Sequence, residues 1–348
     1  MKTKTAEQIM AIDPESPEKL FSGDAETAKT EFYELSRDWH PDRNPAPQAT
    51  VVFQRVTALY RKTLELLETQ RWPGPGVLDL PAGRFGTAAV TRRINYFKCH
   101  SFELGELYVA KTEIAFAVEH RFADLFENAK RQLAGFRFAG KKMQREIGRY
   151  LPREPEFFAS ARRLFLLLPK PAEMVLLADL LDFMGGALDP RHVGWIGNRL
   201  YNLACYLDYA GIIHHDIGPR TVFVSPVNHG AMLLGGWWYA RPRGRKIKAL
   251  PPRTVEFAPP DAIAAGRADG RTDLEAIRRT GCELLGAKSG WALKSNPKIP
   301  AAMARWLNGA TSGAAVTDYE LWQNVLELDF GAPRFVRLDA GADAIYGR

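Results

Sequence analysis

The chain has 348 residues, of which 46% are hydrophobic and 25% charged, with a formal net charge of +7. This composition is that of an ordinary soluble globular protein, and the length suggests two or three domains. Cys99, Cys205 and Cys282 lie far apart without a paired spacing, which argues against a disulfide framework or a zinc site. They are interpreted as buried thiols in a reducing compartment, so no metal or other cofactor is expected.

The hydropathy of the chain predicts neither a membrane span nor a signal peptide. No stretch approaches the roughly 20 apolar residues of a spanning helix, and Met1 to Ala6 is polar. We therefore expect a cytoplasmic protein without a membrane partner.

Two amphipathic helices are predicted near the N-terminus, on either side of a break at Pro41. The apolar positions of the first are Ala25, Ala28, Phe32, Leu35 and Trp39, with Asp24 as N-cap, and those of the second are Phe53, Val56, Tyr60, Leu64 and Leu67. Each helix has one apolar face, so the two should pair as an antiparallel hairpin. Pro41 disfavours helix at His40 and forces a turn, which puts His40-Pro41-Asp42 at the exposed tip.

This tip resembles the J-domain of DnaJ-type co-chaperones. The matching residues are Trp39-His40-Pro41-Asp42-Arg43-Asn44-Pro45 in the loop and Phe53-Gln54-Arg55-Val56 with Tyr60 in the following helix. The resemblance implies that the tripeptide stimulates ATP hydrolysis by a DnaK-type chaperone, and that Lys29, Arg37 and Arg43 also contact it. Turn chemistry alone is the alternative for an isolated tripeptide. The two flanking helices favour the J-domain interpretation.

Two features depart from the family pattern. The first helix of the family is poorly marked here, because Pro14 and Pro17 crowd the segment before Leu20 and Phe21. The second helix of a J-domain is basic, whereas here Lys29 and Arg37 are accompanied by acidic side chains, at Glu26, Glu31, Glu34 and Asp38. This mixture indicates weak binding to the chaperone, or binding to an unusual one.

Four segments are predicted along the chain: a J-like domain over residues 1–71, a Pro/Gly-rich linker over 72–89, a sheet lobe with a hinge over 90–188 and a helical lobe over 189–348. Short β-favouring runs at 107–109, 114–116, 164–168 and 174–177 predict strands. A helix is predicted from Phe122 to about Leu133, and another from Asp189-Pro190 to Tyr209. The fold class is therefore α+β, with a small helical hairpin followed by two lobes.

The second part of the chain resembles the protein kinases. This resemblance implies that its sheet lobe and helical lobe have the protein-kinase fold. The sequence from Gly211 to Val224, which includes His214-His215-Asp216, is similar to their catalytic loop. Phe257-Ala258-Pro259-Pro260-Asp261 resembles the end of the activation segment, and Thr272-Asp273 the helix that follows it. A J-domain fused to a kinase-like domain is a known bacterial arrangement that this chain resembles.

The same resemblance implies that phosphoryl transfer is lost. Asp216 stands at the base position, but Thr221 and Gly218 replace the family's asparagine and lysine, and the expected Asp-Phe-Gly reads Leu234-Gly235-Gly236-Trp237-Trp238. Glu119 occupies the position where the family has a lysine at the end of its third strand. Lys111, on a neighbouring strand, is the alternative cation. Glu127 is the nearest candidate for the helix glutamate that pairs with the family's lysine. Asp216 is interpreted as a remnant that hydrogen-bonds its own loop. His214 is expected to pack under the loop, and both tryptophans are expected to fill the core or the cleft. His215 stands where the family has an arginine that binds the phosphate of the activation loop.

Three functions follow from these patterns. The leading one is a non-enzymatic co-chaperone in which the kinase-like domain binds an unidentified protein client. The second is an atypical ATP-binding kinase that uses Asp216. The third is nucleic-acid binding through the basic run Arg241 to Lys248. This function is disfavoured because such a run is more often a solvated loop. The first 70 residues carry a net charge of −3 and the remainder +10.

Overall fold

The computed structural model of the chain describes residues 4–69, 71–80, 92–287 and 290–347. They form two compact units, one of residues 1–119 with 157–167 and one of 120–156 with 168–348. The mixture of helix and strand is that of an α+β protein. No helix in the described residues is both long and apolar enough to span a membrane.

The first unit begins with a helical hairpin. Its helices are α1 (Ala6–Met10), α2 (Ala25–Trp39) and α3 (Ala49–Glu68). Thr5 and Gln8 form a capping box on α1, and the Asp24 carboxylate accepts a hydrogen bond from Thr27 N, as expected for an N-cap. The core of the hairpin contains Ile9, Ile12, Leu20, Phe21, Ala28, Leu35, Val52, Val56, Leu59 and Trp72.

The predicted apolar face of α3 needs a correction. Val52, Val56, Leu59 and Thr63 are the positions that turn inward along the helix, whereas Leu64 is 40% exposed. Phe53 and Tyr60 lie at the margin of this face, where Tyr60 stacks on Phe32 with ring centroids 4.2 Å apart. The periodicity was therefore shifted by about one residue, because the sequence does not say which edge of an apolar stripe meets its partner helix.

A six-stranded sheet completes this unit. Its strands are β1 (Gly76–Leu80), β2 (Arg92–Phe102), β3 (Gly105–Ala110), β4 (Glu113–Glu119), β5 (Glu156–Ala159) and β6 (Arg163–Pro169), in the order β1-β2-β3-β4-β6-β5. The predicted strands at 107–109, 114–116 and 164–168 are confirmed as parts of β3, β4 and β6. Tyr96, Tyr108, Ala115, Ala117 and Phe165 belong to the core on one face.

Residues 72–80, the first part of the segment predicted as a linker, belong to the hairpin core and to the sheet. Trp72 is buried in the hairpin core, and residues 76–80 form β1, which pairs with β2 in antiparallel register. Leu78 and Leu80 are fully buried while Val77 is exposed, and this alternation anchors the strand in the sheet. Residues 81–89 of the predicted linker, like residues 90 and 91 at the start of the predicted sheet lobe, lie outside the described residues.

The second unit is mainly helical. Its helices are α4 (Ala123–Leu133), α5 (Lys141–Ile147), α6 (Leu177–Phe183), α7 (Pro190–Ala210), α8 (Pro252–Phe257), α9 (Pro260–Ala265), α10 (Arg271–Leu284), α11 (Gly290–Ser295), α12 (Ala301–Leu307), α13 (Ala315–Phe330) and α14 (Ala342–Ile345). Its short strands are β7 (Val175–Leu176), β8 (Ile212–Ile213), β9 (Val222–Ser225), β10 (Gly230–Leu233) and β11 (Arg241–Pro242). They form a β10-β9-β7 sheet and a β11-β8 pair.

The helices predicted in this unit are confirmed by α4 and α7. Asp189 caps α7 through Arg191 N, and Pro190 occupies the first helical turn. The strand predicted over 174–177 is shorter than expected, because Leu177 already begins α6. All three cysteines are free; Cys99 and Cys282 are buried, whereas Cys205 is only half-buried.

Candidate functional site

The His40-Pro41-Asp42 loop begins where α2 ends. His40 has an extended backbone, with φ −62° and ψ 129°, so the helix cannot continue into Pro41. The backbone amides of Arg43 and Asn44 then donate to the His40 carbonyl at 2.9 and 2.8 Å, which closes a tight turn. Pro41, Asp42 and Arg43 are exposed at this turn.

The side chains of the loop are held from both helices. The His40 ring lies edge-on to Phe53 of α3, with ring centroids 5.3 Å apart. The Asp42 amide donates to His40 Nδ1 at 3.2 Å, while the Asp42 carboxylate remains 85% exposed. Asn44 donates to the Asp38 carbonyl at 2.9 Å and accepts from Ala46 N, which links the end of α2 to the residues before α3. The loop thus presents an exposed carboxylate on a supported turn.

The charges on α2 are arranged differently from the sequence expectation. Lys29 and Arg37 are exposed, and Arg37 lies 3.6 Å from the Asp38 carboxylate. Glu31, however, is buried and accepts hydrogen bonds from Ser22 N at 2.8 Å and Ser22 Oγ at 2.6 Å. The Glu31 carboxylate therefore binds the segment before α2, and its charge does not compensate the exposed cations of Lys29 and Arg37.

An ion cluster around one buried carboxylate joins the end of the hairpin to the sheet. Glu106 on β3 is 2% exposed and lies 2.7 Å from Arg71 Nε and 3.1 Å from an Arg163 nitrogen. Arg163 also donates to the Thr69 carbonyl at 3.0 Å. Burial raises the pKa of Glu106, and the two arginines oppose that shift. The residues that follow α3 are therefore fixed to the sheet by charge-assisted hydrogen bonds.

Glu119, predicted at the position of the kinase lysine, belongs to the margin of this cluster. It ends β4, its side chain is about one-third exposed, and its carboxylate lies 3.9 Å from Arg71. Its carboxylate places a negative charge at the end of β4, beside the Arg71 cation.

In the second unit, Asp273 organises the loop that resembles the kinase catalytic loop. Asp273 is on α10, and its two carboxylate oxygens accept from the backbone amides of His214 and His215, each at 2.7 Å. His214 Nε2–H donates to the Gly235 carbonyl at 3.0 Å, and its Nδ1 accepts from Asp216 N. His215 Nδ1–H donates to the Tyr239 carbonyl at 3.0 Å.

Both histidines are uncharged in this environment. Burial lowers the pKa of His214 to about 3 and that of His215 to about 4, because desolvation disfavours the imidazolium form. Burial raises the pKa of Asp273 to about 7, although its two amide partners act in the opposite direction. A neutral, fully buried His215 cannot replace an arginine as a phosphate ligand.

The remaining predicted positions of the loop meet around Asp216. Thr221 Oγ donates to the Asp216 carbonyl at 2.6 Å and accepts from Gly218 N at 3.1 Å. A Cβ atom on Gly236 would lie 2.6 Å from the His214 ring and 2.8 Å from Asp216 Cβ. The structure therefore brings Asp216, Gly218, Thr221 and Gly236 together, but leaves no room for a side chain at Gly236.

Arginine and threonine side chains that the sequence interpretation missed close the other side of this loop. Arg253 donates to the Ile217 carbonyl at 2.9 Å and lies 2.7 Å from the place of a Gly218 Cβ. Thr254 Oγ donates to the His215 carbonyl at 2.6 Å. Each of these residues is at least 35 positions away in sequence from the loop residue that it contacts, so no local pattern could have indicated these contacts.

The tryptophans and the basic run contribute to packing. Trp237 and Trp238 are buried, and Trp237 is edge-on to His214 at a centroid distance of 4.7 Å. Arg241 is buried and donates to Asn128 on α4, while Arg243 pairs with Asp208. The run from Arg241 to Lys248 is therefore not a continuous exposed row of cations.

Within the described part of the chain, no group of three His, Cys, Asp or Glu side chains is placed to hold a metal ion. Neither a known family model nor a curated protein sequence matches the chain.

Proposed function

We propose that this protein is a co-chaperone whose His40-Pro41-Asp42 loop stimulates ATP hydrolysis by a DnaK-type chaperone. The observation that carries the proposal is the exposed tripeptide at the tip of the α2–α3 hairpin, where the Asp42 carboxylate is 85% exposed and His40 is supported by Phe53. An exposed carboxylate on a fixed turn can form charge-assisted hydrogen bonds with a partner at little entropic cost.

The anchoring of the hairpin supports this role. The Arg71–Glu106–Arg163 cluster and the hydrogen bond from Tyr96 OH to the Trp72 carbonyl fix the end of the hairpin to the sheet. A loop on an anchored hairpin loses less conformational freedom on binding than a loop on a flexible segment. Lys29, Arg37 and Arg43 are exposed on the same hairpin and are included as chaperone-binding residues.

The kinase-like part is proposed to be catalytically inactive and to bind a protein client. The packing around Asp216 supports this, because Gly236 and Gly218 are closed in by His214, Asp216 and Arg253. Phosphoryl transfer needs carboxylates and cations around the phosphates, and neutral histidines do not supply them. A cytoplasmic location belongs to the same proposal, because buried thiols such as Cys99 and Cys282 are typical of proteins in a reducing compartment.

The test is single-turnover ATP hydrolysis by a purified DnaK-type chaperone, with the full-length chain added. The wild-type protein should accelerate hydrolysis, whereas Asp42→Asn and His40→Gln should abolish the acceleration. Loss of the exposed carboxylate removes an interaction with the partner but no contact in the hairpin core.

Glu68→Gln is the matched control, because it also converts one exposed carboxylate of the hairpin into an amide. Glu68 ends the 20-residue helix α3, so it lies on the order of 30 Å from the loop. Acceleration should be retained in this variant. Equal acceleration by the wild type and Asp42→Asn, with unchanged circular dichroism, would refute the proposed function.

A further inference from the structure

A cavity in the second unit is not used by the proposed function. It has a volume of about 480 Å³ and is formed by α5 and the residues on both sides of it. This size is typical of small-molecule sites, which range from roughly 300 to 1,000 Å³. Its lining includes Phe136, Phe138, Lys141, Gln144, Arg145 and Arg153.

The charged side chains that line this cavity are all basic. Lys141, Arg145 and Arg153 line it without any acidic side chain. Between residues 131 and 153, seven basic side chains accompany a single acidic one, Glu146. Lys141 and Arg145 are four residues apart on α5, so they share a face of the helix and repel each other. Neither is ion-paired with another side chain in the described part of the chain, and a bound anion would relieve this repulsion.

The lining of the cavity also contains two phenylalanines that other aromatic side chains support. Phe136 lies edge-on to Trp237, with ring centroids 5.0 Å apart, and Phe138 stacks on Tyr206 at 5.5 Å. These contacts hold both phenylalanines at the cavity, where each is only partly buried. Aromatic side chains fixed in this way can stack on a flat ring of a ligand.

Cations and supported aromatic rings in one cavity define a ligand class. We propose that this cavity binds a small organic phosphate that carries an aromatic ring, of the nucleotide class. Its phosphates would contact Lys141, Arg145 and Arg153, and its ring would lie against Phe136 and Phe138. The guanidinium of Arg145 and the ammonium of Lys141 can donate charge-assisted hydrogen bonds to phosphate oxygens, which are strong acceptors. The site is separate from Asp216 and does not depend on the His40-Pro41-Asp42 loop.

Titration calorimetry of the full-length chain with three probes tests the ligand class. ADP carries both phosphate and ring, pyrophosphate carries only the charge, and adenosine carries only the ring. ADP should bind more tightly than either partial probe, and added salt should weaken its binding. Pyrophosphate that binds as tightly as ADP would overturn the aromatic part of the proposal. Equal binding of adenosine and ADP would overturn the anionic part.

Three variants locate the site. Arg145→Glu should weaken ADP binding by at least about tenfold, because it replaces a charge-assisted hydrogen bond with repulsion. Lys142→Glu changes the same charge on the same exposed helix without lining the cavity, and should change the affinity by less than about threefold. Asp216→Asn should leave ADP binding unchanged. Absence of ADP binding to the wild type at millimolar concentration, or binding lost in Asp216→Asn but kept in Arg145→Glu, would overturn the proposal.

Discussion

At the scale of single residues, Gly236 determines how closely the loop around Asp216 can pack. Its backbone has φ of 80°, a conformation that glycine adopts without strain. The space beside it is filled by His214 and Asp216, so both the backbone and the packing require the absence of a side chain. An aspartate at this position would not fit the structure that surrounds it.

Gly236→Ala should destabilise the protein by roughly 3 kcal/mol, which combines left-handed strain with overpacking. Gly244→Ala is the control, because Gly244 has φ of 71° but no atom within 4 Å of an added Cβ. It should cost only about 1 kcal/mol. Urea unfolding monitored by tryptophan fluorescence measures both. Equal losses in the two variants would show that packing at Gly236 contributes nothing.

His215 should give the protein a measurable dependence of stability on pH. Its pKa is lowered by burial to about 4, whereas an unfolded histidine titrates near 6.5. At this residue the unfolded chain therefore binds up to one more proton than the native chain between these values. The contribution of His215 to stability is retained above pH 6.5 and falls as the pH drops towards 4. Asp273 has the opposite sign, since its raised pKa of about 7 favours the native state at lower pH.

Because other groups titrate in the same range, the informative quantity is a difference in slope. Between pH 6 and pH 5, the slope of the free energy of unfolding against pH should be lower in His215→Gln than in the wild type, by about 1.2 kcal/mol per pH unit. Unfolding curves at several pH values provide this slope. Parallel pH profiles would contradict a neutral, buried His215.

At the scale of secondary-structure elements, β3 is the strand of the sheet to which the end of the hairpin is attached. Glu106 is the buried carboxylate of this strand, and two arginines from distant parts of the chain compensate its charge. Such a cluster is costly to form in a buried place and even costlier to break, because one lost partner leaves an uncompensated charge. It therefore specifies where residues 69–71 lie against the sheet.

Arg163→Met should destabilise the protein by about 3 kcal/mol, because Glu106 would keep only the half-exposed Arg71 as a partner. Arg93→Met is the matched control on the same sheet. Arg93 pairs with Asp79, and both side chains are largely exposed, so its loss should cost less than about 1 kcal/mol. Thermal unfolding distinguishes the two variants. A smaller loss for Arg163→Met than for Arg93→Met would contradict the role of the cluster.

At the scale of the whole molecule, the chain contains two compact units with separate cores. Trp72 is central to the first, because its side chain is buried in the hairpin core while its carbonyl accepts from Tyr96 of the sheet. The hairpin and the sheet thus share one residue at their junction. Destabilisation at Trp72 should spread through the first unit and leave the second largely intact.

Trp72→Ala should cost about 4 kcal/mol through the cavity it creates. Hydrogen exchange should then accelerate in α2 and α3, whereas amides of α10 should keep their protection. Tyr33→Ala removes an aromatic side chain of the same hairpin that is 61% exposed, and should change exchange very little. Equal acceleration in α3 and α10 would indicate that the two units unfold together.

The sequence by itself determined the elements and the turn of the hairpin. Asp24 and Asp189 mark helix starts, and Pro41 ends α2, because capping and proline sterics act within a few residues. It also indicated that Asp216, Gly218 and Thr221 share one loop, since a short segment contains all three. The periodicity of α3 predicted the buried face of the helix only to within about one residue, because Leu64 was predicted to be buried and is exposed.

Only the tertiary structure decided which distant side chains meet. Glu31 turns to Ser22, Arg253 closes on Gly218, and Glu106 gathers Arg71 and Arg163, in contacts that depend on how whole elements pack. The same holds for β1 in the predicted linker, because a strand after a Pro/Gly segment forms only when a partner strand accepts its hydrogen bonds. Local patterns specify local structure, whereas long-range pairing is set by burial and charge compensation across the fold.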